Sequence, residues 1–253
     1  MRIKAIACDV DGTIMDAVGE VSPEAVESIA RSENMSIPII LATARTPAFI
    51  KDLFKKLDFK TSGPIISENG GIVVNQRTGE EVVIGDKEKA NEASTVMLEE
   101  AKGLVKKLSE NIRDEFVRRT DVVLVGRMEA IGLLPKIISN RNLGVDLTYA
   151  PILSDLEKKI APSRIRYAIS IKDPKANKGN GLKIATKMLG MESMEVAAIG
   201  DAENDVSMFN VAGFGVAVAN ADQKLKKVAK MVTKGSYGEG AREAIDFILD
   251  NLV

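Results

Sequence analysis

The stretch KAIACDVDGTIMD, Lys4 to Asp16, decides how the rest of the chain reads. Its apolar half ends in Cys8 and has the composition of a buried strand. Two carboxylates follow at i and i+2, Asp9 and Asp11, before Gly12 and Thr13 turn the chain. Alternate residues of an extended segment point to one side, so both carboxylates can face one point at the strand end. Two bare carboxylates about 4 Å apart repel by roughly 4 kcal/mol at an effective dielectric of about 20. Such a pair needs a bound cation, or one member must take up a proton. The competing reading is a mere Asp- and Gly-rich turn after a strand, and the rest of the chain discriminates between the two.

Composition removes most other chemistries. The 253 residues suffice for one large domain or two modest ones, and 45% hydrophobic with 28% charged residues is ordinary for a soluble globular protein. A formal net charge of −1, a sequence pI of about 5.8 and the lack of a basic block argue against nucleic-acid binding. Apolar runs are strand-sized, below the roughly 18 residues of a membrane span, so no membrane association is expected. The N-terminus enters a strand directly, which reads as no signal peptide, and the single cysteine allows no internal disulfide; both suit the cytoplasm. There is no histidine, so Ser-His-Asp triads, Cys-His pairs and His-Cys zinc sites are excluded. Cys8, in an apolar strand, reads as a small core residue. Carboxylate, hydroxyl, Lys and Arg remain, and these suit hard-metal and phosphate chemistry.

Beyond the opening stretch, Ser22-Pro23 caps a helix running to about Asn34, Ser36 to Arg45 is an apolar strand leaving through Thr43, Ala44 and Arg45, and Thr46-Pro47 caps a second helix. A third strand, Pro64 to Ser67, leads through Glu68-Asn69-Gly70-Gly71 into Ile72 to Val74. Strands apolar on both faces alternating with amphipathic helices predict an α/β fold, a Rossmann-like parallel sheet core flanked by helices. The texture then changes. Lys87 to Glu110 reads as one long charged helix, Leu134 to Asn142 as a short or broken helix, and Asp121 to Val125, Val145 to Tyr149 and Arg166 to Ile171 as strands of a half-exposed, largely antiparallel sheet. Ile152 to Arg164 is ambiguous. Residues 83–176 are therefore expected to form a smaller inserted α/β domain, with 1–82 and 177–253 as the core. The first texture resumes with a helix from Lys178 closed by Gly190, strands at Glu195 to Ile199 and Phe214 to Val218, and a final helix from Ala241 to Leu252.

In a parallel α/β sheet, ligands bind outside the carboxyl ends of the strands. The strand exits carry Asp9 and Asp11, Thr43 and Arg45, Glu68 and Asn69, then Asp201, Glu203, Asn204 and Asp205, with Lys178 opening the helix before that last strand. This inventory suits a site that holds magnesium through oxygen ligands and neutralises a phosphate.

With these residues in hand, the chain resembles a known family. DVDGT at Asp9 to Thr13, the hydroxyl of Thr43, Lys178, and GDAEND at Gly200 to Asp205 are similar, in order, to the four motifs of the haloacid dehalogenase superfamily of phosphatases. The insert between the second and third motifs resembles the branch whose α/β cap domain, held to select substrate, lies at that point; the short cap and the TAR of Thr43 to Arg45 look most like archaeal phosphoglycolate phosphatases. A surplus on the cap falls around residues 152–164. The resemblance implies a magnesium-dependent phosphatase acting on a small phosphorylated metabolite, phosphoglycolate first, through an aspartyl-phosphate. It implies Asp9 as nucleophile and Asp11 as proton shuttle, with Mg2+ held by Asp9, the Asp11 carbonyl, Asp201 and Asp205. Thr43 and Lys178 would bind the transferring phosphoryl group, and Arg45 and Asn69 would contact substrate. A sugar-phosphate phosphatase or phosphomutase of the same superfamily is the alternative. A receiver-type signalling domain fits less well, because no phosphoacceptor Asp ends the second or third strand. A homodimer is the assembly considered for such a protein.

Overall fold

Every residue of strand β1 (Ala5–Asp9) is buried, because β1 lies inside a sheet and Ala5 to Cys8 are apolar on both faces. The computed structural model describes residues 2–58, 60–107, 117–151 and 167–253. They divide into two compact units, Met1–Val83 with Asn177–Val253, and Ile84–Ala176.

In chain order the first part of unit one holds β1, α1 (Pro23–Asn34), β2 (Ile39–Ala42), α2 (Pro47–Leu57), β3 (Ile65–Ser67), β4 (Ile72–Val74) and β5 (Glu81–Val83). Unit two follows with α3 (Lys87–Glu100), β6 (Val105–Lys107), β7 (Asp121–Gly126), α4 (Met128–Arg141), β8 (Asp146–Pro151) and β9 (Tyr167–Lys172). Unit one resumes with α5 (Lys178–Met188), β10 (Val196–Gly200), α6 (Val206–Phe209), β11 (Phe214–Ala217), α7 (Gln223–Val228), β12 (Met231–Val232) and α8 (Tyr237–Asn251).

Among the described residues the sheet of unit one has eight strands in the order β12-β11-β10-β1-β2-β3-β4-β5. Pairing is parallel from β12 to β3 and antiparallel for β4 and β5, so the expected parallel core carries an antiparallel edge. From β1 the chain steps to β2 on one side, and after unit two it returns to β10 on the other. The order thus reverses at β1 and β10, the topological switch point at which open α/β sheets bind ligands. The capping signals act as written: Ser22 Oγ accepts from the Ala25 N–H and Thr46 Oγ1 from the Phe49 N–H, each ahead of a proline at the helix start. Helix α8 begins at Tyr237, a turn before the expected Ala241; Gly238 and Gly240 lie close against Ser22 and Gly235 inside its first turn.

Among the described residues unit two holds a four-stranded antiparallel sheet, β6-β7-β9-β8, whose Leu124, Ile169 and Ile171 pack with Ala93 and Met97 of α3 and Leu134 of α4. Two expectations are corrected here. The long helix from Lys87 stops at Glu100, because Gly103 adopts φ +80°, and the chain continues as β6. Helix α4 starts at Met128 rather than Leu134 and carries Pro135 inside it. The packing of Ala130, Leu134 and Ile137 against the sheet outweighs the hydrogen bond that the proline forgoes. The ambiguous segment Ile152 to Arg164 lies outside the described residues. Among the described residues no helix is long and apolar enough to cross a membrane.

Candidate active site

Strand register brings the first functional groups together. Cys8 pairs with Ile199 of β10 and Asp9 with Ala42 of β2, so Asp201 and Thr43 stand just past the level of Asp9 on either side. Lys178, first residue of α5, is 1% exposed, and its Nζ lies 2.5 Å from Asp9 Oδ1 and 2.6 Å from Asp205 Oδ1. The other Asp205 oxygen accepts the backbone N–H groups of Asp201 and Ala202, each at 3.1 Å. Thr13 Oγ1 sits 3.2 Å from Asp9 Oδ2 and 3.3 Å from Asp201 Oδ1. Asp9, Asp201 and Asp205 each offer a carboxylate oxygen within 4.8 Å of the others. Gly12 closes this cluster with φ +85°: a Cβ there would stand 2.2 Å from Asp201 Oδ2, so no side chain fits.

The ammonium of Lys178 thus pairs with two carboxylates, Asp9 and Asp205, and a third, Asp201, lies beside them. Burial lowers the pKa of Lys178, but Asp205 and Asp9 outweigh it, and the net shift is upward, so the amine stays charged. Burial pushes Asp9 well above the ordinary carboxylate range, with Lys178 opposing. Asp201 rises to about 7, through burial first and the charge of Asp205 second. Fully ionised, the cluster carries two negative charges more than positive ones, which is the charge a divalent cation supplies. An all-oxygen, under-neutralised donor set of this kind, with Asp9 and Asp205 buried and Asp201 half-buried, fits a hard divalent metal.

Asp11 is arranged differently, and here an expectation is corrected: its carboxylate does not face the same point as that of Asp9. It lies outside the three-carboxylate group and takes a fork from Arg45, Nε at 3.0 and 3.2 Å and Nη2 at 2.7 Å. The side chain has left the strand, which ends at Asp9, so strict alternation no longer applies. Thr43 Oγ1 donates to Asp11 Oδ2 at 3.4 Å and accepts from the Arg45 N–H at 3.0 Å. Arg45 also stacks over Phe49, 4.8 Å from the ring centre. Asn69 is 2% exposed, and its Oδ1 accepts from Asn204 Nδ2 at 3.1 Å.

Two contributors are absent from the sequence reading. Thr13, which in sequence reads only as turning the chain, bridges two of the three carboxylates. Asn220 donates from Nδ2 to the Gly12 carbonyl at 2.8 Å and accepts at Oδ1 from the Tyr237 N–H at 2.7 Å, pinning the Gly12 turn to α8. Its signal was available, since it follows β11 on the same edge as the other strand exits.

A family model described as haloacid dehalogenase-like hydrolase matches residues 6–104 and 137–245. The chain belongs to this family. Among the relatives of this haloacid dehalogenase-like hydrolase, a phosphoglycolate phosphatase of Archaeoglobus fulgidus is 38% identical over 245 residues, covering 97% of this chain and 96% of that one. A phosphoglycolate phosphatase of Methanosarcina acetivorans is 33% identical over 255 residues, covering 99% of each. The crystal structure of Thermoplasma acidophilum 0175 shares the fold over 100% of both chains, with a TM-score of 0.78 at 23% identity. Haloacid dehalogenase-like hydrolases use a divalent metal, and the acidic group of Asp9, Asp201 and Asp205 can hold one.

Proposed function

We propose that this hydrolase is a magnesium-dependent phosphatase that cleaves phosphoglycolate to glycolate and phosphate through an aspartyl-phosphate on Asp9. The observation that carries the reading is the under-neutralised cluster of Asp9, Asp201 and Asp205, two of them paired with buried Lys178, at the switch point of the sheet. The two archaeal phosphoglycolate phosphatases that align over nearly the whole chain support the choice of substrate.

A phosphate monoester and a carboxylate nucleophile are both anions, so attack requires positive charge around the transferred group. Asp9, Asp201, Asp205 and the Asp11 carbonyl would hold magnesium, which would supply part of that charge. Lys178 supplies the rest and holds Asp9 in one orientation through its bond to Oδ1. Thr43 turns its hydroxyl to a phosphoryl oxygen. Asp9 attacks phosphorus in line; the new Asp9–phosphorus bond forms as the ester P–O bond breaks, and Asp11, having parted from Arg45 and taken a proton from solvent, gives that proton to the departing glycolate oxygen. Asp11, now a carboxylate, takes a proton from the water that attacks the aspartyl-phosphate. That step releases inorganic phosphate and restores Asp9. Asp11 must leave the guanidinium of Arg45 to act, and its 35% exposed side chain leaves room to move. Arg45 then serves the reaction by holding Asp11 and, with it withdrawn, by facing the substrate anion. Residues 84–176, the second compact unit, take the role of the cap that selects substrate.

The test is a panel of phosphate esters, phosphoglycolate and several sugar phosphates among them, assayed for released phosphate with magnesium and with EDTA. Phosphoglycolate is expected to lead in kcat/KM by about tenfold, and EDTA to abolish turnover. Asp9→Asn is expected to lower kcat by about 10⁴-fold or more, as loss of a nucleophile does. Turnover that survives Asp9→Asn refutes the aspartyl-phosphate, and faster hydrolysis of sugar phosphates refutes the substrate alone.

A further inference from the structure

Between β3 and β4 the chain passes through three successive left-handed residues, Glu68, Asn69 and Gly70, with φ of +47°, +56° and +94°. Ser67 pairs with Ile72 in the flanking hairpin, and four-residue hairpin loops are most often built around an ordinary type I turn. Hairpin closure therefore does not demand this backbone, and non-glycine residues remain in such conformations only where their surroundings over-determine them. Here the surroundings are the other loops of the site. The Glu68 N–H donates to the Arg45 carbonyl at 2.9 Å and the Asn69 N–H to the Thr43 carbonyl at 3.0 Å. Gly70 is pressed so closely on the residue before Lys178 that a Cβ would stand 2.1 Å from the Asn177 carbonyl oxygen. The Asn69 side chain reaches the acidic loop through its bond from Asn204 Nδ2.

Asn204 Oδ1 is buried and has no partner, so among the described residues the Asn204 amide is held only by Asn69. Asn204 precedes Asp205, whose carboxylate bonds Lys178 with one oxygen and the Asp201 and Ala202 N–H groups with the other. We propose that Asn69 is a positioning residue: it fixes Asn204, and through it the Glu203–Asp205 turn that aims Asp205 into the cluster, instead of contacting substrate. The inference rests on the site proposed above and deepens it. Groups that orient metal-binding carboxylates typically affect metal affinity or activity by about 10-fold to 100-fold.

The variants Asn69→Gly, Asn204→Ala and their combination separate the alternatives. Glycine keeps the left-handed backbone and removes only the amide. Each single change is expected to weaken magnesium binding, measured by calorimetry, by about tenfold. The combination is expected to do no worse than either alone, because both remove the same bond. kcat should fall with the ester KM within about twofold. Unchanged magnesium affinity, additive losses, or a rise in KM with kcat preserved would each overturn the proposal. Should Asn69→Gly fail to fold, magnesium binding by Asn204→Ala decides alone, a loss supporting the proposal and an unchanged affinity sinking it. Parent protein that binds magnesium yet releases no phosphate defeats the proposed function, while calorimetry still reads the coupling.

Discussion

Two carboxylates two residues apart on the chain, Asp9 and Asp11, each pair with a cation, and the two pairs differ in almost every physical respect. Asp9 and Lys178 are sealed from solvent, with side chains 5% and 1% exposed; Asp11 and Arg45 are 35% and 31% exposed. A buried pair has already lost its hydration, so separating it leaves a charge with nothing to replace the partner. A half-exposed pair is screened and easily exchanged for water. The first therefore suits a fixed electrostatic frame around the reacting atom, and the second a group that must disengage and return in each cycle. The repulsion anticipated between Asp9 and Asp11 is resolved by giving each its own cation.

Breaking the sealed pair carries the largest expected effect. Lys178→Met should lower kcat by about 10²-fold to 10³-fold, the scale of losing one positioned donor. It should also destabilise the protein by on the order of 3 kcal/mol in denaturant titrations, since Asp9 and Asp205 lose their buried partner. Next is Asp11→Asn, expected to slow hydrolysis of an alkyl phosphate by about 10²-fold or more but an aryl phosphate, whose leaving group needs no proton, much less. Arg45→Ala should cost less than either and alter stability by about 1 kcal/mol at most. If it matched Lys178→Met in both measurements, the distinction between frame and moving group would fail.

The smallest effect sharpens the electrostatic side of the comparison. The pKa of Asp201 stands near 7 in the folded protein against an ordinary carboxylate value, so the folded state holds a proton that the unfolded chain releases. Stability of the metal-free protein should therefore decline as pH rises from about 4 to about 7 and then level off. Saturating magnesium should flatten that decline. Thermal melts at stepped pH, with and without the ion, measure it.

Much of this architecture is legible in the sequence. Pro23 and Pro47 behind hydroxyl caps mark real helix starts, and apolar strands ending in Asp9, Ala42 and Gly200 supply the parallel centre. The strand-exit rule also names residues that do converge: Asp9, Lys178, Asp201 and Asp205. What was not legible was pairing. Nothing in the spacing says that Arg45 serves Asp11, or that Asn220 reaches Gly12 across 208 positions. Local breakers misled in both directions. Gly103 ends a helix whose apolar stripe appeared to continue, while Pro135 fails to end one because tertiary packing holds it. The antiparallel edge escaped because β4 and β5, three residues each, are too short to display a period.

The partition of unit one into two separated stretches of chain has a consequence for synthesis. β1 pairs with β10 in the register Ala5 with Val196, so one edge of the strand that carries Asp9 stays bare until β10 emerges. At about 5–20 residues per second, the ribosome leaves that edge waiting for roughly 10 to 40 seconds. Ile84–Ala176, continuous in sequence, is complete before then and can condense by itself. The exposed apolar edge makes the interval before β10 arrives the stage at which a chaperone would be most needed.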